Sequence, residues 1–74
     1  MQRFGEKLRV LRTRRSMSLS NLAQTLGLTS RSYISELESG KKKPTTEFVL
    51  GVAYLFNVTT DELLKDELDL NLDT

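Results

Sequence analysis

A small all-α domain of five helices is what the sequence predicts, and three observations predict it. Apolar residues recur at three- and four-residue spacing along most of the chain, the period of an amphipathic helix. A Ser or Thr stands just ahead of most of these runs, where its hydroxyl can accept from the first unpaired backbone N–H groups. Gly27, Gly40, Pro44 and Asn57 fall between the runs, where helices stop.

Each element follows from its own residues. Phe4, Leu8 and Leu11, with Arg and Lys between them, predict a first helix over about residues 2–14. Ser18 caps a second helix that carries Leu19, Leu22, Ala23 and Leu26, and Gly27 ends it. After the short turn Leu28-Thr29, Ser30 caps a third helix that turns Ile34 and Leu37 inward and stops at Gly40. Lys41-Lys42-Lys43-Pro44 forms a basic loop. Thr45 caps a fourth helix burying Val49, Val52, Ala53 and Phe56, in which Gly51 costs up to about 1 kcal/mol against Ala and suggests close packing. Thr59-Thr60-Asp61-Glu62 fits a capping box ahead of a short fifth helix with Leu63 and Leu64. The end, Leu68-Asp69-Leu70-Asn71-Leu72, alternates apolar and polar and reads as strand-like. Residues 1–65 are thus the domain and 66–74 an acidic tail.

Composition narrows the function. With 74 residues and no Cys or His, disulfides and the usual zinc sites are excluded, and no metal or cofactor is expected. The commonest proton-transfer and nucleophilic groups are missing as well, so an enzyme is a poor reading. No apolar run is long enough to span a membrane, and the N-terminus lacks a signal-peptide core. A soluble, cytoplasmic protein is expected.

Charge is divided unevenly. Residues 1–43 hold ten Lys or Arg against three Glu, whereas residues 44–74 hold one Lys against seven acids. A basic half suggests a polyanion partner, to which the Lys loop and the cations of the first helix would bind. The plain alternative is two solvated faces of opposite sign.

The segment Leu22 to Ile34 is a helix-turn-helix candidate. Ala23 is small enough for a close crossing, Gly27 allows positive φ, and Leu28 anchors the turn. Opposite Ile34 and Leu37 lie Ser32, Ser35, Glu36 and Ser39, with the Tyr33 ring at the edge. Small polar side chains suit a helix that enters the major groove; they equally suit a polar solvent face.

Residues 4–64 closely resemble the Cro/repressor-type (XRE-like) helix-turn-helix family, the class that contains the lambda repressor. The matching pieces are Arg9-Val10-Leu11-Arg12, Met17 to Ala23, Tyr33 to Lys41, Pro44, the Ala53 region, and Asn57-Val58-Thr59 through Leu63. Their order and spacing carry the resemblance. It implies a lambda-repressor-like DNA-binding domain and a transcriptional regulator recognising double-stranded DNA with the helix at 31–38.

The resemblance also implies roles. Ser30, Arg31, Ser32 and Glu36 match base-facing positions, and Ser35, on the same outer face of the helix, is a further base-contact candidate. Arg31 fits a guanine edge or a phosphate; Glu36 fits cytosine N4 or a surface ion pair. Lys41, Lys42 and Lys43 match a loop that approaches phosphates, or form a solvated turn, and Ser20, Asn21 and Tyr33 are further phosphate candidates. Arg12 and Glu38 match a buried salt bridge between helices one and three. Two departures stand out: Leu19 occupies a position often held by Gln, and the turn is longer by one residue, placed at Thr29.

A homodimer on a pseudo-palindromic operator is expected, its surface in the acidic half at Phe56, Val58 and Leu64. Leu68, Leu70 and Leu72 of the tail either join that interface or fray in solution. A second reading is an antitoxin-type or other interaction module whose tail binds a partner protein.

Overall fold

The computed structural model describes residues 2–71. Helix α1 spans Phe4–Arg14, α2 Leu19–Thr25, α3 Arg31–Glu38, α4 Thr46–Phe56 and α5 Thr60–Leu64. Four helices start at hydroxyl caps. The side chains of Ser18, Ser30, Thr45 and Thr59 accept from the backbone N–H of Asn21, Ser32, Phe48 and Glu62. At Thr59 and at Ser18 the box is reciprocal, with Glu62 and Asn21 accepting from the cap's own N–H.

Packing follows the apolar stripes. α3 lies against both α1 and α2, α1 reaches α5, and α5 rests on α4. Leu8, Leu22, Ile34, Val52 and Leu63 are fully enclosed, each contributing roughly 1.5–3 kcal/mol by leaving water. Phe48 joins two halves of the core, meeting Phe4 and Tyr33 edge to face.

α1 touches α3 through backbone. A Cβ on Gly5 would lie 2.4 Å from the Leu37 carbonyl oxygen and 2.6 Å from that of Glu38, so only glycine fits this crossing. At Gly51, where the sequence suggested similar closeness, a Cβ would stand 3.5 Å from Leu26 Cδ2. That is ordinary contact, and nothing in the packing requires a glycine there.

Cations in and beside α1 are engaged by other parts of the chain. Lys7 is 1% exposed, and its ammonium donates to the carbonyl oxygens of Glu62, Lys65 at 2.9 Å and Leu68 at 2.6 Å. It closes the end of α5 and the turn after it, where carbonyls have no helical partner. Arg15 donates to Leu55 O at 3.0 Å and covers the Phe56 ring at 4.8 Å. Arg3 donates to Asp66 O and Asp69.

The tail departs from expectation. Among the described residues there is no strand; Leu68 N–H closes a turn onto Lys65 O, and Leu70 packs against the core. A period-two pattern makes a strand only where another strand offers hydrogen bonds. Instead Asp66 accepts from the backbone N–H groups of Gln2 and Arg3, both at 2.9 Å, and so caps α1, which has no local side-chain cap. Those two hydrogen bonds, Arg3 first, hold the Asp66 carboxyl at about 2. Glu62 is likewise lowered by N–H donation from Thr59 and then Asn71. Leu72 lies outside the described residues.

The surface suggested for dimerisation also changes. Phe56 is buried, because it completes the inward stripe of α4 with Val49 and Val52. The exposed apolar side chains of that helix are Leu50, at 55%, and Tyr54, at 93%.

Candidate nucleic-acid interface

The turn between α2 and α3 is built on Gly27. Its φ is +75°, and its N–H donates to Gln24 O while that of Leu28 donates to Ala23 O. This pair of bonds is a Schellman motif, for which a residue without Cβ is best suited. Leu28 is thereby turned back onto the core. Thr29 and Ser30 then lead into α3, whose first helical residue is Arg31.

Two anchors orient α3. Ile34 and Leu37 are buried on its inner side. Near its end, Glu38 meets Arg12 in a two-pronged ion pair, Nε to Oε2 at 2.7 Å and an η nitrogen to Oε1 at 3.1 Å. The other guanidinium arm donates to Met17 O at 2.8 Å. The two side chains are 14% and 9% exposed, and Glu38, through its hydrogen bond, raises the Arg12 pKa. This bridge fixes α3 to both α1 and the loop before α2.

With the inner side held, the outer side is free. Arg31, Ser32 and Ser35 are exposed, and no described residue engages their side chains. Ser30 is exposed too, though its hydroxyl oxygen accepts from Ser32 N–H at 3.2 Å. Glu36 is partly covered, with Oε1 3.5 Å from Lys42 Nζ. Tyr33 lies half-buried at the edge, its ring against Phe48 at 5.5 Å and Lys42 Nζ 5.9 Å above it. Lys41, Lys42 and Lys43 are exposed in the loop after α3. Ser20 and Asn21 are exposed on the first turn of α2; the Asn21 oxygen is committed to the cap, which leaves its amide N–H groups outward.

Four cations in and beside α1 do not join this group. Lys7, Arg12 and Arg15 serve carbonyls or Glu38, and Arg3 is held by the tail. Exposed positive charge near α3 comes from Arg31 and the Lys loop, and from Arg9, which lines a groove with Glu38, Ser39 and Gly40 at the end of α3. Lys7, Arg12 and Arg15 share a signal in the sequence: residues 4, 7, 8, 11, 12 and 15 form one helical stripe, and half of it is cationic.

Two helices joined by a glycine turn, the second anchored inside and polar outside, define a helix-turn-helix domain. The chain belongs to that family: the model of the helix-turn-helix domain matches residues 3–65. The HTH-type transcriptional activator BcrR of Enterococcus faecalis is 44% identical over 64 residues, covering 86% of this chain and 31% of that protein. Among solved structures, the N-terminal DNA binding domain of SinR from Bacillus subtilis matches with a TM-score of 0.80 at 26% identity, covering 93% of this chain and 100% of that one. The restriction-modification controller protein C.AhdI from Aeromonas hydrophila matches with a TM-score of 0.73 at 34% identity, covering 84% of this chain and 92% of its own. The chain spans 31% to 56% of the length of the curated relatives it matches.

Proposed function

We propose that this chain is a sequence-specific, DNA-binding transcriptional regulator that lays α3 in the major groove. One observation carries the reading: α3 is locked on its inner side by Ile34, Leu37 and the Arg12–Glu38 bridge, while Arg31, Ser32 and Ser35 stand exposed. A rigid helix with short polar side chains outward fits the groove in which all four base pairs can be told apart. The relatives support it: BcrR is named a transcriptional activator, and the SinR fragment a DNA binding domain.

In this reading Arg31 makes a two-pronged contact to guanine, and Ser30, Ser32, Ser35 and Glu36 meet neighbouring base edges. Lys41 and Lys43, with Ser20, Asn21 and Tyr33, hold phosphates and set the register. The protein acts in the cytoplasm as a two-fold dimer, because one short helix reads only a few base pairs. Leu50, Tyr54 and Leu64, of which Leu50 and Tyr54 are exposed, form the dimer surface in this reading, and Tyr54→Asp is expected to shift the sedimenting species from dimer to monomer. A tail-mediated partner finds less support, since Asp66 and Asp69 are engaged with Arg3 and Asn71 with Glu62 of α5 in their own chain.

Selection of bound duplexes from a random pool tests the assignment. The expected result is an enriched site with two inverted halves about 10 base pairs apart, centre to centre. A pool that shows no enrichment after several rounds contradicts it.

A further inference from the structure

Glu36 presents a difficulty that the DNA-binding reading, on which this inference rests, must resolve. It is the one acid on the outer side of α3, since Glu38 is turned in to Arg12. Duplex DNA carries a negative charge about every 1.7 Å along its axis, so a carboxylate entering the groove is repelled unless a cation accompanies it.

The loop after α3 supplies that cation by construction. The backbone N–H groups of Lys41 and Lys42 both donate to Glu36 O, at 2.9 and 3.3 Å. The chain is thus folded back over the last turn of α3. From there the Lys42 side chain returns along the helix, and Nζ lies 3.5 Å from Glu36 Oε1 and 5.9 Å from the centre of the Tyr33 ring. Tyr33 is itself braced edge-on by Phe48. The side chains of Lys41 and Lys43 make no such return; both residues are exposed, and no described residue engages their ammonium groups.

We infer that Lys42 is a positioning residue for base recognition, distinct in role from its two neighbours. Its ammonium neutralises Glu36 and holds Oε1, which leaves Oε2 to accept from the exocyclic amine of a base, cytosine N4 or adenine N6. Lys41 and Lys43 serve phosphates alone. The three adjacent lysines therefore divide between recognition and general affinity.

A double-mutant cycle on DNA binding tests this, using the selected duplex and a panel of its single-base variants. Lys42→Ala is expected to weaken binding to the selected site roughly tenfold and to flatten preference at one base position per half-site. Adding Glu36→Gln to Lys42→Ala recovers most of the lost affinity, because the uncompensated carboxylate is gone, but does not recover the base preference. Lys41→Ala and Lys43→Ala weaken all sequences alike. The inference is overturned if the Lys42→Ala and Glu36→Gln effects simply add, or if Lys42→Ala lowers affinity evenly across the panel as its neighbours do. Wild-type protein that binds none of the duplexes overturns the DNA-binding reading itself, and the wild-type titration alone reports that. Neither side chain is buried, and melting curves of each variant confirm that the fold is kept.

Discussion

The Lys7 ammonium donates to the carbonyl oxygen of Leu68, 61 residues away in sequence, at 2.6 Å. Through this contact and its two companions on Glu62 and Lys65, the first helix of the domain holds the last turn of its C-terminal segment. A charge in the middle of an apolar stripe is stable here because each of its protons has an oxygen to meet.

Replacing Lys7 by Met keeps the side-chain volume and removes all three donors. Hydrogen bonds from a charged group contribute about 1.5–3 kcal/mol each, less what water restores to the freed carbonyls. A loss of about 2–4 kcal/mol is expected in urea unfolding, with faster amide exchange in residues 65–70. Unchanged stability would mean that water already satisfies those carbonyls.

The Arg12–Glu38 bridge gives a second outcome. Glu38→Ala leaves a nearly buried guanidinium facing no carboxylate, at a cost of about 3–5 kcal/mol. Changing Arg12 to Met and Glu38 to Leu together costs much less, because apolar side chains of similar size need no partner. Thermal melts of the single and double variants check this. A neutral Glu38→Ala would show that the pair contributes nothing to holding α3.

At Gly5 two effects oppose each other. Alanine favours a helix over glycine by about 1 kcal/mol, yet its Cβ would overlap the Leu37 and Glu38 carbonyls of α3. Those carbonyls are backbone, so relief requires the helices to separate, at about 1–3 kcal/mol. Gly5→Ala is therefore expected to destabilise, and to lower DNA affinity through the displaced α3. A more stable variant in the same melt would show that α1 and α3 part easily.

Asp66 sets a pH dependence. Its carboxyl is held at about 2 in the folded chain against an ordinary 3.8, by the N–H groups of Arg3 and then Gln2. A carboxyl that is more acidic when folded stabilises the fold above its unfolded value. That contribution is complete above about pH 4 and is lost as pH falls through about 2. Asp66→Asn should show a shallower fall in melting temperature across that window than the native chain. Identical slopes would mean that the carboxylate cap is absent in solution.

How much of this was legible in the sequence depends on how local each cause is. The caps at Ser18, Ser30, Thr45 and Thr59 act over two or three residues, and each was readable. So was the turn at Gly27, and the pairing of Arg12 with Glu38 followed from a resemblance. Lys7 and Arg15 add to the basic charge of the first 43 residues, although both fall on the apolar stripe of α1; their carbonyl partners lie in α4, α5 and the tail, which no local pattern reveals. Gly5 is required by a neighbouring helix, not by its own. Phe56 carries two incompatible readings in the sequence, inward by its spacing from Val49 and Val52 and outward by its place in the acidic half; it is buried, so the spacing decides. The alternation in the tail is real, but Asp69 meets Arg3 and Leu70 packs against the core, and no described strand pairs with it.

The central claim is that the exposed side of α3 reads DNA, with Arg31 at its start. Anisotropy titrations of the selected duplex over a range of salt, with the native chain and with Arg31→Ala, test it most directly. Saturable binding is predicted, weakening with salt by a log–log slope of about −0.9 for each phosphate neutralised. Arg31→Ala should lose about 1–3 kcal/mol on that duplex and little on one changed at the base pair Arg31 reads. Binding that is absent at low salt, or indifferent to both salt and the Arg31 change, would contradict the account.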